Sequence, residues 1–394
     1  MAHGEKPYRV YRGGRAKGKV PTLPRPERLP RGSNGRPEIR RVPGPEPRRR
    51  RFGWGRRIGV ALLLILLVVV GWGVASFFAV RGGVSEANER LEPDARAALA
   101  PQDGLLLAKS TTILLLGTDH ANREDRATAR RSDSILLVRT DPRRGRIAYL
   151  SIPRDLRVDV PGLGPSKVNA AFQVGGPALA VQTIKAFTGL PINHIAIVDF
   201  GSFVELVDAL GGIEVTVPAP IVSNPFDCPR ATEAECARWA GWRFGKGRQH
   251  MNGRRALVYS RIRRNKLDPA ESDITRGERQ QQVLEAITAK LTSPRTAARL
   301  PFIGDELLKP LATDLGTWQF VQLGWRKFRS SNERALHCRL GGTASDIGGQ
   351  SVIVATEENR NVIAMFAGAA APQPPLPGSG PYGPGCVVGS TAPR

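Results

Sequence analysis

The sequence predicts an α/β protein, a layered mixed sheet flanked by helices, preceded by one transmembrane helix and a disordered basic tail. Two observations support this prediction. Residues 58–80 form an uncharged apolar run, and the chain beyond them alternates short β-type runs with segments of helical spacing. Alternating strands and helices are typical of a sheet whose faces are covered by helices.

The basic tail over residues 1–57 lacks hydrophobic periodicity and is rich in Arg, Pro and Gly. It holds 18 Lys and Arg against 4 Glu, which is +14 of the net +23 carried by all 394 residues. We expect this composition to leave the tail disordered, because it offers little apolar surface to bury. Because most of the charge lies in the tail, no nucleic-acid partner is expected. A topology signal with a solvated linker is the favoured role of the tail, and binding to anionic lipid, nucleic acid or a partner is the alternative.

The apolar run over residues 58–80 is long enough to cross a bilayer. Its 23 residues reach about 35 Å as a helix, against a hydrocarbon core of about 30 Å. A signal peptide would begin nearer to Met1 and contain a shorter apolar core. Arginines at 50, 51, 56 and 57 precede the run and only Arg81 follows it closely. The positive-inside rule therefore predicts a cytoplasmic N-terminus and an extracytoplasmic folded domain in the cell membrane.

The remaining chain divides by composition into a stalk over 81–108, a folded domain over 109–368 and an Ala/Pro/Gly-rich tail over 369–394. Buried or alternating apolar runs predict the strands, and 3.6-residue spacing predicts the helices. Strands are predicted over 111–116, 134–140, 146–152, 194–198 and 213–217. Helices are predicted over 177–187, 200–210, 256–260, 275–291 and 313–328.

All four cysteines follow the apolar run, on the predicted outer side of the membrane. They are Cys228, Cys236, Cys338 and Cys386. An oxidising compartment permits two disulfides in any of three connectivities. Cys228 with Cys236 is the natural local pair, which leaves Cys338 with Cys386.

Charged residues cluster where the predicted strands begin and end. Asp119 follows the first strand, Arg131 and Asp133 open the second, and Arg154 and Asp155 end the third. Ligands of α/β sheets usually bind at strand ends. Carboxylates there suit Mg²⁺, and arginine matches the oxygens of a phosphorylated ligand. Salt bridging at the sheet edge is the alternative interpretation.

A second basic group lies further along the chain. Arg261 and Arg263 have i, i+2 spacing, which places them on one side of an extended segment. Arg276, Arg279 and Gln280 share one helix face at i, i+3, i+4 spacing. For these residues alone, a solvated surface is the simpler interpretation.

The stretch over residues 111–291 resembles the LytR-CpsA-Psr family of bacterial cell-envelope proteins. The matching pieces, in order, are LLLGTD, RSDSILLVRTDP, LSIPRD, KVNAAF with GGP, VDFGSFVELVDALGGIEVTV, LVYSRIR and RGERQQQ. The single N-terminal span with its domain outside also matches that family. The resemblance implies an Mg²⁺-dependent phosphotransferase that moves a glycopolymer from a polyprenyl-pyrophosphate carrier to peptidoglycan, leaving a phosphodiester link.

The same resemblance implies roles for individual residues. Asp119 and Asp133 would bind Mg²⁺, and Arg131, Arg154 and Asp133 would act in catalysis. The substrate-binding set would be Arg131, Arg154, Arg261, Arg263 and Gln281. Helices over 178–187 and 203–210 are candidates to line an apolar groove for the lipid chain, with core packing as the favoured role for most of their apolar residues.

Two other functions remain open for the same residues. A non-catalytic regulatory protein would bind the lipid pyrophosphate without forming a product. A polyprenyl-pyrophosphate pyrophosphatase would use water in place of a sugar hydroxyl. A transcriptional regulator is disfavoured, because no helix-turn-helix pattern is present. The sequence does not identify the glycopolymer.

Overall fold

The structure is a computed structural model that describes residues 54–118, 132–230, 232–269, 273–379 and 382–389. The side chains at positions 132, 133, 273 and 274 lie outside this description. The predicted disordered tail lies outside it as well, except for its last four residues.

Helices and strands are numbered here in chain order within the described residues. The helices are α1 (Trp54–Glu89), α2 (Pro93–Ala98), α3 (Val168–Thr188), α4 (Phe200–Ala209), α5 (Glu233–Ala237), α6 (Gly253–Arg261), α7 (Asp273–Leu291), α8 (Pro294–Leu308), α9 (Thr317–Arg329) and α10 (Glu358–Ala367). The strands are β1 (Thr112–Thr118), β2 (Ser132–Asp141), β3 (Arg146–Ser151), β4 (Leu156–Val160), β5 (Gly164–Lys167), β6 (His194–Asp199), β7 (Ile213–Val217), β8 (Ile221–Val222), β9 (Arg243–Phe244), β10 (Gly247–Met251), β11 (Ala312–Thr313), β12 (Leu336–Arg339), β13 (Gly342–Ile347), β14 (Gln350–Ala355) and β15 (Gly385–Val388).

A mixed sheet forms the centre of the domain, and it confirms the predicted fold class. In the described residues its seven strands run in the order β11-β6-β1-β2-β3-β12-β15. β1 is parallel to β6 and β3 is parallel to β12, whereas the other neighbours are antiparallel. The C-terminal ends of β1, β3 and β6 therefore lie beside the N-terminal start of β2, on one of the two sides of the sheet where strands begin and end. We call this side the site edge and the opposite strand-end side the far edge; neither name refers to an outer strand.

The two faces of the sheet have different surroundings, because side chains alternate along each strand. On one face, Leu114, Leu137 and Leu150 are fully buried in the main core. That core includes Val181 and Ile184 of α3, together with residues of α10. The other face is turned toward α7 and α9, where Leu136 and Tyr149 belong to a smaller cluster.

A second core holds the helices that cover this other face. It contains buried residues of α4, α6, α7 and α8 together with the antiparallel pair β7 and β10. Asn252 is the N-cap of α6, and its side chain accepts a hydrogen bond from the Arg255 amide at 2.9 Å. The cap fixes where α6 begins, and so where its C-terminal Arg261 lies.

The predicted stalk over 81–108 is wrong as a separate element. α1 continues through the apolar run to Glu89, and the chain then enters the main core with α2. Leu91, Ala95 and Leu106 are 5%, 0% and 1% exposed, because they pack against the folded domain. Among the described helices, α1 alone is long and apolar enough to span a membrane.

Two disulfides form in the described residues, and they have the connectivity in which Cys228 takes its local partner. Cys228 bonds to Cys236, and Cys338 bonds to Cys386. The second bond joins β12 to β15, so part of the C-terminal tail is a strand of the main sheet rather than irregular.

Candidate functional site

A cavity of about 1360 Å³ lies between the sheet and the helices α4 and α6 to α9. Alternate residues of four strands form its sheet side, as expected when one face of each strand points into a single space. They are Ile113, Leu115, Gly117, Ser134, Leu136, Val138, Thr140, Ile147, Tyr149, Ala196 and Val198. Because Ser134 and Thr140 both line it, the cavity extends about 20 Å along β2 at ~3.4 Å per residue.

The cavity has a polar end at the site edge. Seven polar or cationic side chains are gathered at this end, and they come from β2, α6, α7 and the segment after α6. They are Ser134, Ser260, Arg261, Arg263, Arg264, Arg276 and Gln280. The remaining lining is predominantly apolar and continues to Trp72, Leu291 and Trp325 at the far edge.

Arg261 and Arg263 reach the cavity because α6 ends at this point. Arg261 is the last residue of the helix, and Ile262 follows with an extended backbone at φ −61° and ψ 125°. The i, i+2 prediction does not describe this geometry, because Arg261 is still helical and Ile262 and Arg264 line the cavity as well. The Arg261 guanidinium pairs with Asp227 and lies 4.4 Å from the ring centroid of Phe200. These contacts orient it before any ligand is bound.

Gln280 ties three elements together at the polar end. Its Oε1 accepts a hydrogen bond from the Ser134 hydroxyl at 2.8 Å, and its Nε2 lies 3.5 Å from the Ser260 carbonyl. Arg276 lines the cavity one helical turn earlier and is only 5% exposed. Arg279 points elsewhere and donates to the Ile262 carbonyl at 2.7 Å.

Gln281, the glutamine predicted for substrate binding, is not among the described residues that line the cavity. Its Nε2 donates to the Cys338 carbonyl at 3.1 Å, and its Oε1 accepts from His337 Nδ1 at 2.9 Å. Successive helical residues point about 100° apart, so Gln280 faces the cavity while Gln281 faces β12. In the structure, therefore, Gln280 lines the cavity and the predicted Gln281 does not.

Arg154 lies at the site edge, directly after β3. Its Nε is 3.4 Å from Oδ2 of Asp155, whose Oδ1 accepts from Lys167 Nζ at 3.0 Å. Asp155 therefore positions Arg154 through a shared carboxylate. Arg154 is not among the described residues that line the cavity. Its role in catalysis and substrate binding stays a prediction.

The side chains of the predicted Mg²⁺ ligands are outside the described part of the chain. Asp119 and Arg131 lie outside the described residues, and Asp133 is described by its backbone in β2. Carboxylate oxygens are ligands that Mg²⁺ prefers, so Asp119 and Asp133 suit this ion by residue type. Their role as Mg²⁺ ligands stays a prediction.

Other described groups offer no competing metal site. No three His, Cys, Asp or Glu side chains of the described chain come together as a possible metal cluster. Asp199 lies at the site edge, but its carboxylate caps α4 by accepting from the Ser202 amide and hydroxyl at 2.9 and 2.8 Å.

Of the two helices that are candidates for an apolar groove, one lines the cavity. Phe203 and Leu206 of α4 face it. Residues 178–187 have the core-packing role favoured for them, because α3 packs on the opposite face of the sheet and buries Ala180 and Ile184 in the main core. Most of the wall near the far edge comes from α8 and α9. The helix predicted over 313–328 corresponds to α9, but α8 was not predicted and neither helix was assigned to the cavity.

The cavity wall stays uncharged along its middle. Burial raises the pKa of the Tyr149 phenol, and the negative charge of Glu285 raises it further. Tyr149 therefore remains neutral and presents an aromatic surface. Burial lowers the pKa of Lys327 at the far edge, and Glu285 opposes this change.

Comparison with known proteins identifies the fold and the relatives of this chain. Polyisoprenyl-teichoic acid–peptidoglycan teichoic acid transferase TagV of Bacillus subtilis (strain 168) is 30% identical over 264 residues, 66% of this chain but only 64% of TagV. The transferase of the same description, TagU, from Enterococcus faecalis (strain ATCC 700802 / V583) is 30% identical over 283 residues, covering 72% of this chain and 85% of TagU.

A structure of TagT bound to LIIa-WTA superimposes with a TM-score of 0.52 and 25% identity, covering 68% of this chain and 94% of TagT. The family model covers more of the chain than the predicted motifs do, since it matches residues 78–365. The chain therefore belongs to the LytR_cpsA_psr family.

Proposed function

We propose that this protein is a membrane-anchored transferase that moves a glycopolymer from a polyprenyl-pyrophosphate carrier to peptidoglycan and leaves a phosphodiester link. The cavity is the main support for this proposal. It is an apolar channel about 20 Å long with four arginines at one end. This shape and charge match a lipid chain that ends in a pyrophosphate. The relatives TagV and TagU are named as transferases of this kind.

The polar end has the charge needed to bind a pyrophosphate. Arg261, Arg263, Arg264 and Arg276 approach it from two helices and the segment between them. Guanidinium groups bind phosphate oxygens through paired hydrogen bonds, which fix the orientation of the ligand as well as its position. Arg131 and Arg154 complete the proposed clamp from the site edge.

Asp119 and Asp133 are the proposed Mg²⁺ ligands. When bound, Mg²⁺ would neutralise charge on the phosphate oxygens. The carboxylate of Asp155 is already in contact with Arg154 and Lys167, so it serves to position the clamp.

The reaction needs positioning and charge stabilisation more than a covalent catalyst. The oxygen of an acceptor hydroxyl attacks the phosphorus that carries the glycopolymer. The bond from this phosphorus to the bridging oxygen breaks, and polyprenyl phosphate leaves with that oxygen while the acceptor hydroxyl loses its proton. Arginines around both phosphates stabilise the charge that develops on the departing phosphate.

The membrane anchor and its orientation belong to the same proposal. α1 spans the bilayer with the arginines before residue 58 in the cytoplasm, and the domain faces the cell wall. This arrangement puts the polar end on the side where both the lipid-linked donor and the peptidoglycan acceptor are found.

The test uses the full chain in liposomes with a lipid-linked oligosaccharide, Mg²⁺ and peptidoglycan. We expect a covalent adduct, and we expect Arg154→Ala and Asp133→Ala to abolish its formation while the domain stays folded. Arg143→Ala is the matched control, because Arg143 is exposed in the turn between β2 and β3 at the far edge.

Three results would contradict the proposal in different ways. Full transfer by the Arg154 and Asp133 variants would refute the site. Donor binding without any product would indicate the regulatory function, and release of polyprenyl phosphate without an adduct would indicate a pyrophosphatase.

A further inference from the structure

An exposed aromatic stripe runs along α9. Trp318, Val321, Trp325 and Phe328 are 59%, 42%, 54% and 64% exposed. Their spacing of three, four and three residues places them on one side of the helix. Phe302 of the neighbouring α8 is 80% exposed. We call these five side chains the aromatic face, and large exposed apolar surfaces of this kind usually mark a binding surface.

The helix α8 connects this face to the membrane anchor. Trp72, which belongs to the apolar run, donates from Nε1 to the Ala298 carbonyl at 3.3 Å. A Cβ on Gly304 would come within 3.1 Å of Ala79 Cβ, so the two helices touch closely without intervening side chains. The first half of α8 thus lies beside the outer part of the span.

The helix α9 lies along the far edge of the sheet. Just before it, Asp314 contacts His194 at the start of β6 with a distance of 2.6 Å. Near its end, Arg326 is close enough to the turn between β2 and β3 to be attracted by Asp141. Trp72 lines the same cavity as Trp325 and Phe328, so the aromatic face and the anchor border one cavity.

We propose that the aromatic face docks into the outer surface of an anionic phospholipid bilayer, with α9 lying in the interface as an amphipathic helix. Trp and Phe favour the headgroup level of membranes, and cations beside them favour anionic lipid. α9 carries Arg326 and Arg329 in its last turn, and α8 exposes Arg295 and Arg299 beside the span. This inference rests on the membrane anchoring in the proposed function.

Docking would open the cavity directly onto the bilayer. Trp325 and Phe328 belong to the aromatic face and also line the cavity. A lipid chain could therefore pass from the membrane into the apolar end without crossing water. The surface thus serves as the entrance for the lipid carrier.

The test places the full chain in liposomes made with phospholipids brominated along their acyl chains, which quench tryptophan fluorescence at short range. The chain has six tryptophans. The double variant Trp54→Phe/Trp72→Phe removes those of the span and reports on α9. The double variant Trp318→Phe/Trp325→Phe removes those of α9 and reports on the span. Trp239 and Trp242 remain in both variants as an internal baseline away from the membrane.

We expect the brominated lipids to quench each variant by about half, because two of its four remaining tryptophans would lie at the bilayer. Quenching of the variant that reports on α9 should weaken when anionic lipid is omitted or salt is raised to 1 M. No dependence on either would refute the role of anionic lipid.

Quenching of the span variant alone would refute membrane docking of α9 while leaving the anchor intact. Quenching by acrylamide would then show what lies over α9 in place of lipid. If acrylamide quenches Trp318 and Trp325, these side chains face water. If it does not quench them, protein such as a second copy covers them. Loss of quenching in the span variant would instead refute the anchoring on which the proposed function relies.

Discussion

Replacing Gln281 and Gln280 one at a time separates folding from substrate binding at the polar end. Gln281 is 2% exposed and forms two buried hydrogen bonds, to the Cys338 carbonyl and to His337. The His337 ring also stacks on Tyr149 with ring centroids 5.2 Å apart. Gln281→Ala would leave two buried polar groups without their partner, whereas Gln280→Ala would free the Ser134 hydroxyl beside the cavity and remove a long contact to the Ser260 carbonyl.

The two substitutions differ in expected magnitude. Each buried group left unpaired costs about 1–3 kcal/mol, so Gln281→Ala should lower the free energy of unfolding by about 2–6 kcal/mol. At ~2–4 °C per kcal/mol for a domain of this size, Tm should fall by about 6–12 °C for a loss of about 3 kcal/mol. Gln280 is only half-buried and its hydrogen bond to Ser134 can be replaced by water, so its loss should cost about 1 kcal/mol.

The assay pairs thermal unfolding, followed by circular dichroism, with transfer measured well below both melting temperatures. We expect Gln281→Ala to unfold earlier but to transfer at nearly the wild-type rate while folded. Gln280→Ala should keep its Tm within about 4 °C and transfer more slowly. An unchanged Tm with lost transfer for Gln281→Ala would refute this placement and restore the sequence-based assignment.

Three further substitutions test the cavity, the local disulfide and an acid-sensitive turn. Leu284→Trp should fill the middle of the cavity and weaken binding of a polyprenyl pyrophosphate by about tenfold or more, measured by titration, with little change in Tm. Cys228→Ser/Cys236→Ser should slow transfer by about tenfold, because the loop would no longer hold Asp227 against the clamp; a change in Tm without a change in rate would contradict this. Burial raises the pKa of Asp141, but hydrogen bonds from Arg144 and its positive charge outweigh this and lower the pKa overall. The stability that Asp141 contributes is therefore present above its unfolded pKa of about 3.9 and lost as pH falls through the folded value. Asp141→Asn should show a smaller fall in the urea-unfolding free energy between pH 5 and pH 2 than wild type, and equal falls would refute the assignment.

The central strands could be predicted because their own side chains specify them. β1 and β2 are apolar runs buried between two layers, and burial of this kind is visible in the sequence. β13 could not be predicted, because five of its six residues are exposed and it is held by backbone pairing with β14. Short strands of this kind depend on a neighbour that is distant in sequence.

The start of α3 was missed for a local reason. The segment Gly175-Gly176-Pro177 reads as a helix breaker, and the backbone does leave helical values there, with φ +60° at Gly176. The helix nevertheless resumes and extends from Val168 to Thr188, because Phe172 and Val181 on either side of the kink are both buried in the main core. Tertiary packing overrides the local signal.

The residue types of the candidate site could be predicted from the sequence, but the rotation of α7 about its axis could not. Arg261 and Arg263 line the cavity, but through the end of α6 and not through their i, i+2 spacing, since Ile262 and Arg264 line it too. RGERQQQ contains three consecutive glutamines, and only the rotation of α7 decides which one points inward. That rotation is fixed by close packing, since a Cβ on Gly277 would come within 2.5 Å of the Ser151 hydroxyl at the end of β3.

The continuous helix α1 changes what the membrane anchor can do. A flexible stalk of 28 residues could hold the domain anywhere up to about 95 Å from the bilayer. Instead, α1 runs unbroken to Glu89 and packs against α8 from Trp72 onward, so the anchor fixes the height of the domain. The sheet then separates the arginines from the far edge by about 20 Å along β2. If the donor binds as proposed, its pyrophosphate is held well above the bilayer and the first part of its lipid chain fills the cavity. In the proposed function, the apolar channel presents the membrane-bound donor to an acceptor in the cell wall.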